Sequence, residues 1–205
     1  VRSQADTQAE ELLARLQEAA TREGWKVARV SSPQEAAQYV ADLAREVEAR
    51  SILRSKHPVM DRLDLEGLLS QTRIRMDVMA IEEEAEGPGR DGQRTLMRQR
   101  AIEADIGVTG VDYAIAETGT CVLLARKGVS RLVGLLPPVH VAVVLRGQVL
   151  PSLDELFTLS RQEFLDGNLG SYMNLISGPS RSADIEYTLV TGVHGPGQVH
   201  MVLIG

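Results

Sequence analysis

Ala5, Ala9, Leu12, Leu16 and Ala19 recur at a spacing that places them on one helical face, with Glu11/Arg15 and Glu18/Arg22 one turn apart. This pattern predicts an N-terminal helical segment over about 3–24, ended by Gly24. Trp25 to Val30 alternates like a strand. Ser32-Pro33-Gln34-Glu35 then reads as a capping box with proline at the first helical position, opening a helix to about Arg50 along the stripe Ala36, Val40, Leu43 and Val47. Ile52 to Ser55 predicts a strand, Leu63 to Leu69 a helix and Ile74 to Ala80 a strand, so helix and strand alternate as in βαβ units.

Beyond this point the hydrophobic pattern changes. Glu82 to Gly92 combines charge with glycine and proline and predicts a surface loop, followed by a helix from about Gln93 to Ala104. Ile106 to Val111, Cys121 to Ala125 and Val139 to Leu145 are short apolar runs that predict buried strands. Ser152-Leu153-Asp154-Glu155 caps a further helix. Asn174 to Ser177 reads as extended, Ala183 to Val190 as helical and Val199 to Ile204 as a last strand. The expected fold class is α/β, a largely parallel sheet flanked by helices, and the 205 residues fit a single domain.

Composition narrows the function. The net charge of −6 argues against an overall nucleic-acid or anionic-membrane surface, and 3% aromatic residues leave little for base stacking. No apolar run approaches the roughly 20 residues that a spanning helix needs, and the charged N-terminal stretch lacks an apolar signal core. Cys121, the single cysteine, cannot by itself close an intramolecular disulfide or hold an iron–sulfur cluster, and a cytoplasmic setting is expected.

Gly87, Gly89 and Gly92 match G-x-G-x-x-G in letters, but glutamates rather than a strand precede them, so they read as a solvated loop and not as a dinucleotide site. His57, His140, His194 and His200 lack metal-ligand spacing, so no metal site is expected. Asp112 and Glu117 bracket the apolar Ala114-Ile115-Ala116, which predicts that at least one carboxylate sits beside the sheet and partly desolvated; Glu117 is the first choice. The competing reading is that both carboxylates cap backbone N–H groups in turns helped by Gly110 and Gly119. Ser180 and Arg181, before the expected helix, can hold an anion with its free amides, although Asp184 and Glu186 compete for the same role. His194 is expected at the rim of a sharp turn between that helix and the last strand. Lys56, just after a strand, occupies a position where α/β sheets place ligand contacts.

Four stretches taken together carry more: Gly107-Val108-Thr109-Gly110-Val111-Asp112-Tyr113-Ala114-Ile115-Ala116-Glu117-Thr118-Gly119-Thr120, Leu135-Leu136-Pro137-Pro138-Val139-His140, Gly178-Pro179-Ser180-Arg181-Ser182-Ala183-Asp184-Ile185-Glu186 and Gly192-Val193-His194-Gly195-Pro196. They closely resemble the LUD domain, specifically the lactate utilization protein C family. The motifs cover the C-terminal half densely, and the N-terminal half matches in its helix and strand plan and around Lys56. The resemblance implies a NagB/RpiA/CoA-transferase-like α/β fold and a part in a three-protein system that oxidises L-lactate to pyruvate without NAD. In that system the partners carry the iron–sulfur clusters, and a chain with one cysteine agrees with the cluster-free member. The family supplies no established catalytic residue.

The expected role is thus an accessory or substrate-binding subunit with no cofactor of its own. Glu117, His194 and Asp112 are the candidate catalytic groups, and Lys56, Thr118, Gly119, Thr120, Ser180 and Arg181 would bind the carboxylate of a 2-hydroxy or 2-oxo acid. Two alternatives stand beside it. One is a stand-alone enzyme on a CoA thioester or sugar phosphate, because Glu117-Thr118-Gly119 resembles the nucleophilic glutamate of CoA transferases. The other is a non-catalytic scaffold.

Overall fold

The computed structural model describes residues 2–80, 88–125, 131–167, 170, 172–183 and 189–205. Helix α1 (Arg2–Arg22) leads into β1 (Lys26–Val30), α2 (Pro33–Glu46), β2 (Ser51–Ser55), the short α3 (Leu65–Leu69), β3 (Arg75–Met79), α4 (Pro88–Glu103) and β4 (Ile106–Gly110). A second region follows with β5 (Tyr113–Ile115), β6 (Thr120–Leu124), α5 (Leu132–Leu135), β7 (Val139–Leu145), β8 (Val149–Leu150) and α6 (Leu153–Leu165). The chain closes with β9 (Met173–Ile176), β10 (Arg181–Ala183), β11 (Leu189–Thr191) and β12 (Gln198–Ile204).

Six strands form a parallel sheet in the order β1-β12-β7-β4-β2-β3. Strand β7 lies inside it and is buried on both faces, which explains why Val139 to Leu145 is apolar except for the buried His140. Val139, Val141 and Val143 point to the face covered by α2 and α3. Ala142 and Val144 point to the other face, where α1 and the strands of a smaller four-stranded sheet, β8-β5-β6-β9, pack. Helices α4 and α5 cover Leu53 and Met79 near the β2–β3 edge, and α6 closes the outer side of the small sheet over Ile115, Val122 and Leu124.

Local chemistry explains most of the boundaries. Ser32 Oγ accepts the Glu35 N–H at 3.2 Å, while the Glu35 carboxylate accepts from Ser31 N–H and Oγ, both at 2.8 Å; the reciprocal contact therefore falls one residue before the cap. Those two bonds hold the Glu35 carboxyl below its ordinary value. Helix α1 ends as predicted at Gly24, whose φ of +97° allows the Trp25 N–H to reach back to the Ala20 carbonyl. Helix α2 stops at Glu46, short of Arg50, because Glu48 adopts φ +53° and the Ala49 N–H returns to the Ala44 carbonyl in the same arrangement.

Two expectations need correction. Helix α4 begins at Pro88, so the end of the expected loop is helical: proline at a first helical position needs no N–H partner. The rest of that loop, 82–87, lies outside the described residues. The helix expected at Ala183–Val190 is instead an antiparallel hairpin pairing Arg181 with Thr191, Ser182 with Val190 and Ala183 with Leu189; residues 184–188 lie outside the described residues. Acidic residues after a serine suggested a helix start, but Ile, Tyr, Thr and Val dominate the run and favour extended backbone.

Candidate functional site

In an open parallel sheet, ligands collect at the carboxyl edge where successive connections depart to opposite sides. Here β2 connects outward to β3, whereas β4 connects to β7 and then β12 on the other side, so the reversal falls between β2 and β4. The first residues beyond these two strands meet there. Ser55, Lys56 and His57 alternate buried, exposed, buried as the chain leaves β2, and Asp112 follows Val111 at the exit of β4.

His57 and Asp112 are both buried, with Nε2 of the imidazole 3.5 Å from Oδ1 of the carboxylate. The Val59 N–H donates to His57 Nδ1 at 3.2 Å, which places the proton of the neutral ring on Nε2, facing Asp112. Asp112 Oδ2 in turn accepts the Leu124 N–H at 2.7 Å, tying the carboxylate to β6. Gln148 closes the third side: its amide donates to the Val111 carbonyl at 2.6 Å and accepts from the Leu145 N–H at 2.8 Å, joining the exits of β4 and β7. Around these groups lies a cleft of about 230 Å³ lined by His57, Pro58, Val59, Arg62, Asp112, Tyr113, Leu145 and Gln148.

Gly110 makes the arrangement sterically possible. A Cβ at this position would lie 2.4 Å from His57 Nδ1 and 3.0 Å from the Val59 Cβ, so the absence of a side chain lets the imidazole lie against the end of β4. Gly110→Ala is expected to cost about 1–3 kcal/mol, as overpacking does, and to displace the His57 ring. Urea unfolding together with the imidazole NMR signals of His57 checks this; an unchanged midpoint with unchanged signals would show the approach to be less tight than described.

Of the residues selected from the sequence, Asp112 lines this cleft. Burial falls to Asp112 rather than to the first choice: Glu117 is exposed, and its Oε2 accepts the Leu153 N–H at the start of α6 at 3.4 Å. The capping reading thus describes Glu117, while Asp112 both caps a strand amide and faces a histidine. Thr118 Oγ1 donates to Thr120 Oγ1 at 2.8 Å, and Thr120 shares a 2.8 Å bond with Ser177 Oγ. Gly119, at φ +67°, lets this turn press against α1, since a Cβ would come within 2.5 Å of the Ala20 backbone. Arg181 donates from Nη2 to the Glu23 carbonyl at 2.6 Å and so caps α1, in place of the helix start expected around it. Ser180 Oγ accepts the His194 N–H at 3.3 Å, and His194 is exposed in a turn between two strands rather than between a helix and a strand. Lys56 is exposed beside the cleft, and the residue that reading the strand end missed is its neighbour His57; strand alternation at that end was the available signal.

The other buried histidines serve the core. His140 Nε2 and Thr109 Oγ1 are 2.8 Å apart on the face toward Trp25, and burial, with a smaller push from His200, lowers the His140 pKa to about 4. His200 bonds Tyr39 through Nδ1 at 2.7 Å, and burial, with a smaller contribution from Lys26, lowers its pKa to about 4 as well. Cys121 is buried and its thiol is pushed well up by desolvation. Among the described residues no group of three His, Cys, Asp or Glu side chains is placed to hold a metal ion, and no helix is long and apolar enough to cross a membrane.

A parallel sheet with a small cleft at its switch point defines an α/β protein with a candidate ligand site there. The model of the LUD domain matches residues 13–204, and the chain belongs to that family. It is 34% identical over 160 residues to lactate utilization protein C of Halalkalibacterium halodurans, an alignment covering 78% of this chain and 64% of that protein. Lactate utilization protein C of Exiguobacterium sp. is 44% identical over 111 residues (52% of this chain, 47% of that protein), and that of Bacillus subtilis is 38% identical over 107 residues (52% and 45%). The chain thus spans less than two thirds of each of these relatives. A DUF162 family protein from Deinococcus radiodurans shares the fold, with a TM-score of 0.62, 20% identity and coverage of 96% of this chain and 98% of that one.

Proposed function

We propose that this chain serves lactate utilization as the cluster-free, substrate-binding subunit of a cytoplasmic, NAD-independent iron–sulfur system that oxidises L-lactate to pyruvate. The family match over residues 13–204, with relatives named lactate utilization protein C, carries the reading. The cysteine content agrees with this division of labour: the one cysteine of this sequence is buried and cannot by itself supply a ligand set for a cluster, and in this reading the electron-transfer groups sit on partner proteins. This chain's part is to bind a small 2-hydroxy or 2-oxo acid. Glu117 as a nucleophile on a thioester gains no support from a carboxylate engaged at the start of α6.

The test is to tag the chain in its native cells grown on L-lactate and to measure whether iron–sulfur polypeptides and lactate-dependent dye reduction copurify. Both together are the expected result. Reduction of the dye that is unaffected by removing this chain from the cells would overturn the subunit reading.

A further inference from the structure

We infer that the cleft between the carboxyl ends of β2 and β4 is where the small acid binds, with Arg62 holding its carboxylate and His57 reading the oxygen on its second carbon. The inference rests on the lactate-utilization reading for the identity of the acid and on the cleft's own geometry for the site. Pockets for drug-sized ligands run to about 300–1,000 Å³. At about 230 Å³ this cleft suits a ligand of only a few heavy atoms.

The lining matches the three parts of such a molecule. Arg62 is exposed at the end of a short 3-10 turn, Met60–Arg62, and makes no ion pair with a described residue, whereas neighbouring Arg54 is engaged by Glu66 at 2.8 Å and Asp61 at 3.9 Å. A guanidinium left open at a cleft is the group that takes a carboxylate in a two-pronged contact. On the floor, His57 Nε2 has no hydrogen-bond acceptor at normal distance, although the ring is buried. A buried donor in that position is costly until an oxygen reaches it, and the hydroxyl or keto oxygen of a 2-substituted acid supplies one. Pro58, Val59 and Leu145 give the methyl group an apolar wall. Asp112, which also lines the cleft, has Oδ1 3.5 Å from the same Nε2, beyond a normal hydrogen bond, and holds the ring by charge as a positioning residue.

The experiment titrates this chain with L-lactate, pyruvate and propionate, the last lacking the second-carbon oxygen, and follows both affinity and the His57 imidazole signals. L-lactate and pyruvate are expected to bind about tenfold more tightly than propionate, the scale of one hydrogen bond to a buried polar donor. Both should shift the His57 signals. Arg62→Gln, at an exposed position, should weaken all three acids about tenfold or more, while Arg98→Gln on the exposed face of α4 should weaken none. His57→Gln should bring L-lactate and pyruvate down to the level of propionate; if that variant does not fold, the shift of the wild-type imidazole signals decides the point. Equal binding of all three acids, unmoved His57 signals, or an Arg62→Gln variant that binds normally would each overturn the assignment. Cluster proteins that copurify with a chain whose cleft binds no acid would remove the site and leave the subunit reading standing. Acid binding in the cleft without any role in lactate oxidation would do the reverse.

Discussion

Gly107→Ala is expected to lose about 3 kcal/mol or more of the folding stability of this protein. Gly107 lies in β4, where α5 crosses the strand so closely that a Cβ would stand 1.8 Å from the Val133 carbonyl oxygen and 3.0 Å from Pro137 Cγ. The obstructing atom is backbone, so no rotamer change relieves it, and β4 is held between β7 and β2 and cannot shift away without breaking both ladders. Overpacking typically costs about 1–3 kcal/mol and more where nothing can yield, against a whole-domain stability of about 5–15 kcal/mol. A drop in melting temperature of roughly 10 °C, or failure to accumulate folded protein, follows from about 2–4 °C per kcal/mol for a chain of this length. Gly92→Ala is the matched control: nothing lies within 4 Å of its Cβ in helix α4, so alanine should stabilise by up to about 1 kcal/mol through helix propensity. Thermal unfolding of the two variants measures both; a Gly107→Ala protein melting with the wild type would refute the packing of α5 on β4.

The second large effect is a loss of stability on mild acidification. His140 and His200 each have a folded pKa of about 4 against an ordinary 6.5, because burial disfavours the imidazolium. Between those values the unfolded chain binds protons that the native state refuses, so the contribution of these groups is complete above pH 6.5 and is lost as pH falls toward 4. Each histidine contributes a slope of at most about 1.4 kcal/mol per pH unit. The exposed carboxylates act elsewhere: Glu10, bonded to Arg29, and Glu155, bonded to Ser152, have lowered pKa values and matter only below the ordinary 4.5. Urea midpoints at pH 7, 6 and 5 should therefore fall steadily, and His200→Gln should flatten the fall, since a glutamine carries no titrating group. A midpoint constant from pH 7 to pH 5 would show that these histidines exchange protons freely in the native state.

Legibility varied with the range of the interactions concerned. The start of α2 at Ser32-Pro33, the end of α1 at Gly24 and the cap of α6 at Ser152 were readable because each depends on backbone groups within a few residues. Strand β7 was readable because six of its seven residues are apolar, His140 being the exception. The hairpin of β10 and β11 was not, since serine and acidic residues imitate a helix start and only the pairing of Arg181 with Thr191 settles the backbone. The same holds for the site. Asp112 stood out as a carboxylate beside apolar residues, but its partner His57 is 55 positions earlier in the chain, and the strand alternation that buries His57 does not say which group it meets.

What the sequence by itself determined was the alternation of strand and helix, the family, and the supply of groups: one cysteine, few aromatics, and glycines at 107, 110 and 119. Only the tertiary structure decided what those glycines are for and which polar groups meet. Gly107 admits α5, Gly110 admits the His57 ring and Gly119 admits α1, three close approaches between segments distant in the chain. Local signals arise from covalent neighbours and backbone hydrogen bonds, whereas the cleft arises from strand order, which is set by burial of the whole sheet. The reversal between β2 and β4 is what brings His57 to Asp112 and leaves Glu117 at the start of a helix.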